Sequence, residues 1–222
     1  MAENELDLIR RLKRGGWKRE ELTAVYEQNQ NRYRVLLHLI QHPRFPDAFA
    51  LNILSRLFPV DLLMVIRNTL TNPFIRKRVE IEFKIRYPKI PLGEKISLLR
   101  AAPFPLLLHF IDENDFQVIG SILGNPNCTE EIILRFINRR GDRSVFYQAL
   151  DATGWHTSAA VSRAIAHDAD APIKALLKII PFVGRTERKR MAADPTLHEI
   201  VRARVRDFLR KKPGMDRREK IP

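Results

Sequence analysis

Residues 161–180 read Val161-Ser-Arg-Ala-Ile-Ala-His-Asp-Ala-Asp-Ala-Pro-Ile-Lys-Ala-Leu-Leu-Lys-Ile-Ile180. The middle, His167 to Pro172, is a polar turn that closes on a proline. Beyond it, Ile173, Leu176, Leu177 and Ile180 recur at helical spacing, not at the alternation of a strand. Proline suits the first turn of a helix, where its missing N–H would have no partner in any case. The stretch therefore predicts a helix, a short turn and a second helix.

The same signature occurs upstream, as His42-Pro-Arg-Phe-Pro46, Tyr87-Pro-Lys-Ile-Pro91 and Asn125-Pro-Asn-Cys-Thr129. With Pro43, Pro88, Pro126 and Asp168 as markers, the spacings are 45, 38 and 42 residues. An apolar helical run follows each: Ala50, Leu51, Leu54 and Leu57; Ile96, Leu98 and Leu99; Ile132, Ile133, Phe136 and Ile137; and the run after Pro172. Two further helical stretches fit between successive signatures, among them Phe74–Arg86 opened by Asn72-Pro73. Segments 3–12, 17–28 and 33–40 form an N-terminal helical cap, with Gly15-Gly16 as a turn. Phe83 to Tyr87 alternates in polarity, yet it continues the helical face of Ile75, Val79 and Phe83. The expectation is an all-α, right-handed α-solenoid of about four three-helix repeats, period about 42 residues, in which neighbouring units bury one another's apolar faces. It spans 1–211 as one domain, and 212–222 is a basic tail.

The units 161–180 and 116–137 resemble leucine-rich repeat variant units, and the three-helix period resembles HEAT and armadillo repeats. That resemblance covers roughly residues 30–210 and implies a scaffold for proteins or, in some relatives, for nucleic acid. A leucine-rich repeat variant protein with an iron–sulfur cluster holds it on a cysteine-rich segment. This chain has the single Cys128, so no such cluster carries over. HEAT-like DNA glycosylases pair two tryptophans with an aspartate; here Trp17 and Trp155 stand alone.

Composition narrows the function further. The chain has 222 residues and 39 Lys+Arg against 26 Asp+Glu, a net charge of +13. One cysteine excludes an internal disulfide framework and a cysteine-rich metal site. The N-terminus lacks the pattern of a secretory signal, and the most apolar window, 47–66, carries Asp47, Arg56, Pro59 and Asp61, which a membrane-spanning helix does not tolerate. A soluble, cytoplasmic protein with no transmembrane segment is the expectation.

No residue set reads as catalytic, and no cofactor or metal is expected. His42 and His167 stand at turn positions occupied elsewhere by Tyr87 and Asn125, which predicts capping, not catalysis. His38 and His42 are four apart, but no glutamate lies between them. Cys128 aligns with Phe45, Ile90 and Ala171 and is expected to pack as a small apolar residue. Trp155 is the best candidate for an exposed aromatic, although most of the twelve phenylalanines, Phe116 included, fall on apolar faces.

Charge is the remaining signal. Residues 1–111 carry 19 basic and 11 acidic side chains, residues 112–201 carry 11 and 12, and residues 202–222 carry 9 and 3. Arg76, Glu80 and Lys84 share a helix stripe that looks self-paired. Arg202, Arg206 and Arg210 share a stripe with no acid in register, next to Lys211 and Lys212, so these five are the candidate anion or nucleic-acid contacts. Cations near a helix C-terminus also complement the helix dipole, a competing explanation. The leading expectation is a non-enzymatic helical-repeat scaffold that binds a protein partner on a curved surface. The alternative is a nucleic-acid-binding α-solenoid that contacts phosphates through basic helices.

Overall fold

The computed structural model describes residues 4–210. Among them are fifteen α-helices, three short 3-10 turns and no strand. The chain divides into two compact units with the boundary between Leu106 and Leu107. The first holds α1 (Glu5–Arg14), α2 (Arg19–Gln28), α3 (Tyr33–Ile40), α4 (Asp47–Leu54), α5 (Pro59–Arg67), α6 (Pro73–Arg86) and α7 (Leu92–Arg100). The short α8 (Phe104–Leu107) carries the boundary. The second holds α9 (Phe116–Leu123), α10 (Glu130–Asn138), α11 (Ser144–Asp151), α12 (Ala159–His167), α13 (Ile173–Ile179), α14 (Arg185–Ala193) and α15 (Glu199–Arg210).

Local chemistry sets these boundaries. The side chains of Asn4, Asn72, Asp115 and Ser158 each accept a backbone N–H in the first turn of the helix that follows. Pro59 and Pro73 occupy first-turn positions as the sequence predicts. Pro46, Pro91 and Pro172 sit one residue earlier, at the N-cap, and Thr129 takes that place without a side-chain capping bond. Although Asp194-Pro195 has the residues of a cap and a first helical turn, Asp194 folds the turn that precedes Glu199, accepting the Thr196 N–H at 2.9 Å. Gly15 and Gly16 hold φ of 78° and 85°, a left-handed conformation that separates α1 from α2.

In the first unit, side-chain bonds tie helices that are two apart in sequence. At one end of α3 and α5, the Tyr33 hydroxyl donates to Asp61 and accepts the Phe58 N–H; at the other, Asn68 Nδ2 donates to Gln41 Oε1 at 3.1 Å. Matching starts and matching ends mean that α3 and α5 run parallel, side by side. The pair α4 and α6 does the same, through Asn72 to Asp47 and Arg86 to the carbonyls of Leu54 and Leu57. Because α1 packs on α3 and α5 on α7, while Tyr26 of α2 meets Phe49 of α4 at 4.9 Å, helices α1, α3, α5 and α7 form one layer and α2, α4 and α6 another.

The second unit repeats the rule. Ser158 at the start of α12 donates to Glu130 at the start of α10, and Arg190 of α14 donates to the Ala166 carbonyl at the end of α12. Lys178 of α13 reaches back to Asp151 at the end of α11, while α13 packs on α15. Phe136 and Phe146 stack face to face, 5.0 Å apart, between α10 and α11.

Many of the arginines are therefore structural. A helix leaves its last carbonyls without partners. Arg86 Nη1 and Nη2 supply Leu57 O and Leu54 O at 2.6 and 2.7 Å. Arg139 supplies Ile111 O, Glu113 O and Asp142 O as well as Asn114 Oδ1, at 2.6 to 3.2 Å. Arg143 donates to Ile137 O and bridges Asp168 and Asp170, with the Tyr147 hydroxyl also on Asp168.

The apolar faces differ in places from the sequence pattern. Leu51, Ile173 and Phe116 face outward, because a helix in a two-layer stack buries a narrower arc than its apolar side chains cover. Glu80 pairs with Lys77 at 3.0 Å and not along the Arg76–Lys84 stripe.

Candidate partner-binding groove

Helix α5 is apolar on both sides. Leu62, Leu63, Val65 and Ile66 are buried, while Val60 and Met64 are 55% and 48% exposed on the stripe that continues to Arg67. Across from them, α7 presents Gly93, Ser97 and Ala101, four residues apart on one face, with Glu94 beside them. The space between holds about 740 Å3. A second hollow of about 410 Å3 continues over α1 and α3, where Lys13, His38, His42 and Leu70 line it. Both hollows share Gln41, Met64 and Asn68, so they form one groove in the first unit.

The groove has a fixed centre. Gln41 Nε2 donates to the Leu37 carbonyl at 3.0 Å and its Oε1 accepts Asn68 Nδ2. Asn68 Oδ1 takes the Leu70 N–H at 3.0 Å, and Thr71 Oγ1 donates to the Gln41 carbonyl. Both amides are thus held by helix-end backbone, which leaves Met64 as the adaptable element above them.

His42 closes the α3–α4 turn, its Nδ1 accepting the Arg44 N–H at 3.2 Å. Burial, reinforced by Arg44, holds its pKa below the ordinary 6.5, so the ring is neutral near pH 7. Asn125 and Asp168 do the same job, accepting the N–H groups of Asn127 and Asp170. It is therefore Asp168, and not His167, that matches His42; His167 lies against Glu187 at 3.3 Å. His38 Nδ1 sits on the Arg34 carbonyl at 2.8 Å. Cys128 is buried, and burial pushes its thiol up to about 12. Trp155 is half-buried, its indole N–H donating to the Leu123 carbonyl at 3.0 Å, so it is not an exposed stacking surface. Among the described residues, no group of three or more His, Cys, Asp or Glu could hold a metal ion.

The predicted arginine stripe on α15 does have an acid. Glu199 pairs with Arg202 at 2.6 Å and also with Arg206, one turn and two turns further on. The sequence stripe of every fourth residue missed this because Glu199 lies three and seven positions away. Arg210 is exposed in the last turn, and Lys211 and Lys212 lie outside the described residues. A different cation, Arg204, lines a hollow of about 420 Å3 with Ile200 of its own helix and Lys174, Leu177 and Lys178 of α13. Both lysines reach Asp151, which holds the Asp151 carboxyl below the usual carboxylate range. Single-helix periodicity could not assemble this cluster, whose members come from helices that start 26 residues apart, at Ile173 and Glu199.

Compared with known protein families, with curated proteins and with solved structures, the chain matches none. No described helix is long and apolar enough to cross a membrane.

Proposed function

We propose that the chain is a non-catalytic helical-repeat scaffold, and that the α3–α5–α7 groove of its first unit takes an apolar segment of a protein partner. One observation carries this: Val60 and Met64 stand exposed opposite the small-residue wall of Gly93, Ser97 and Ala101. Small side chains let a second backbone approach, and exposed aliphatic side chains supply the area that a protein segment buries. Repeat architecture is supported within each unit by the pairing of alternate helices. The helical unit this favours has two helices and 26 to 29 residues, from the starts of α11, α13 and α15, in place of three helices and about 42. Within either unit, an odd step in a two-layer stack changes layer, so signatures three helices apart close turns at opposite ends.

Phosphate binding is the weaker alternative. Arg56, Arg86, Arg139, Arg143 and Arg190 are committed to backbone carbonyls, and Arg202 and Arg206 to Glu199. Much of the net charge therefore serves the fold.

The test is selection of peptides from a random library on the full chain, followed by binding to Met64→Arg and Val60→Arg. Because Val60 and Met64 are 55% and 48% exposed, these substitutions should leave the fold intact, which circular dichroism checks. Enriched peptides should carry apolar anchors and bind either variant at least tenfold more weakly. Peptides that bind both variants as well as the wild type would refute the groove. Tight, salt-dependent binding to DNA or RNA with no peptide enrichment would favour the alternative.

A further inference from the structure

The outward face of α6 lies in the other layer and is independent of the groove. Its exposed residues are Pro73, Phe74, Lys77, Arg78, Ile81, Lys84 and Ile85. Phe74, Ile81 and Ile85 are 51%, 44% and 65% exposed, although Ile75, Val79 and Phe83 already give this helix a fully buried face. At 100° per residue, Phe74 to Ile85 on this face fall within an arc of about 120°. The three apolar side chains run along its middle with cations on both flanks, and no carboxylate is exposed on it. The two glutamates of the helix are partly buried at the edges of this face, and each is paired: Glu80 with Lys77 at 3.0 Å and Glu82 with Arg86 at 2.6 Å. The Arg78 guanidinium lies over the Phe74 ring, 5.2 Å from its centre. Residues 1–106 carry 19 Lys+Arg against 11 Asp+Glu, so the whole unit is drawn to negative charge.

We propose that this face rests on an anionic phospholipid surface, with Phe74, Ile81 and Ile85 at the headgroup–acyl boundary and Arg78 and Lys84, one on each flank, at the level of the phosphates. Charge selects the occupant. A second copy paired across a two-fold axis would set these cations against their own copies. A nucleic acid would use the cations and leave the apolar row against phosphates. An acidic peptide with apolar anchors wants a groove, whereas this is a ridge. A lipid interface takes an apolar ridge with cationic flanks, and binding then depends on both.

The experiment is co-sedimentation of the full chain with large vesicles of phosphatidylcholine, with or without about one-third phosphatidylglycerol, at two salt concentrations. Wild type should partition at least tenfold better onto the anionic vesicles, and salt should weaken this. Ile81→Ser/Ile85→Ser and Arg78→Glu/Lys84→Glu should each lower partitioning about tenfold. The charge-matched pair Arg140→Glu/Arg163→Glu in the second unit should change it less than threefold. Ile81→Trp should give a blue-shifted emission on anionic vesicles alone. Equal loss in the Arg140/Arg163 control, or full binding by the Ile81/Ile85 variant, would overturn the proposal in favour of unspecific attraction. Absence of vesicle binding would overturn it outright, and α6-dependent binding to single-stranded DNA or polyglutamate in its place would assign the face to a nucleic acid or an acidic protein. None of these outcomes bears on the groove, which Met64→Arg tests.

Discussion

Replacing Arg139 by methionine should cost about 3 kcal/mol. Methionine keeps most of the length and packing of the side chain but none of its donors. Arg139 is 9% exposed, and its two terminal nitrogens serve four oxygens: Ile111 O, Glu113 O, Asp142 O and Asn114 Oδ1. Charge-assisted hydrogen bonds are worth about 1.5–3 kcal/mol each, so the gross loss is roughly 6–12 kcal/mol. Against this stands the relief of no longer burying a guanidinium, several kcal/mol, and water reaching the oxygens nearest the surface. A net of about 3 kcal/mol corresponds to roughly 6–12 °C in Tm for a chain of this size. Urea unfolding followed by circular dichroism measures it. Arg139→Lys should recover little, since one ammonium cannot span four acceptors. Arg135→Ala, one turn earlier in α10, is the control: an exposed pair with Glu131 at 2.7 Å, and a cost below about 0.5 kcal/mol. If Arg139→Met lies within about 1 kcal/mol of wild type, the arginine staples are decoration and the basic charge needs another explanation.

Three further outcomes are expected. His42 is held neutral by burial, with its folded pKa below 6.5, so its contribution is complete above that pH and fades as pH falls through it. His42→Asn, which copies Asn125, should flatten the stability profile between about pH 7.5 and 5.5; an unchanged slope in urea midpoints would place the titration elsewhere. The buried Cys128 thiol, pushed up to about 12, should react with Ellman's reagent at least ~100-fold more slowly in native protein than in urea, and equal rates would mean that the α9–α10 turn opens freely. Gly141 has φ of 90°, and a methyl group added there would meet no other atom, so Gly141→Ala should cost about 1–2 kcal/mol from backbone strain alone, whereas Gly154→Ala should be near neutral by thermal melts.

Local order was legible in the sequence because its signals are local. The Asn72-Pro73 start of α6, the Gly15-Gly16 break and the 75/79/83 face depend on neighbours within one or two turns. The turn signatures were legible too, and they fall at the α3–α4, α6–α7, α9–α10 and α12–α13 junctions. Proline made them conspicuous. Asn68 and Asp194 build the same turn, accepting the N–H two residues on, but Asn68 has no proline beside it, and the Asp194-Pro195 pair reads as a helix start. Under the two-helix unit proposed above, these inconspicuous turns account for the longer period that the proline signatures trace. The groove was not legible. Val60 and Met64 have the composition of core residues, and only the placement of α3 and α7 on either side shows that nothing covers them. Arginine was misread in the other direction: a count of charges cannot tell a guanidinium on solvent from one on a carbonyl.

The ties between helices also bear on how the chain acquires its structure. The side-chain bonds described above that join helices connect residues only 21 to 32 positions apart, as in Tyr147–Asp168, Tyr33–Asp61, Gln41–Asn68 and Arg86–Leu54. Loop-closure entropy rises slowly with the length enclosed, and none of these closures encloses much. Folding speed tracks the mean separation of contacts, so each unit should fold on the timescale of small helical proteins despite the length of the whole. Such a chain can take shape from its N-terminus while the remainder is still being made, since α1 to α5 need nothing that follows α7 to find their register.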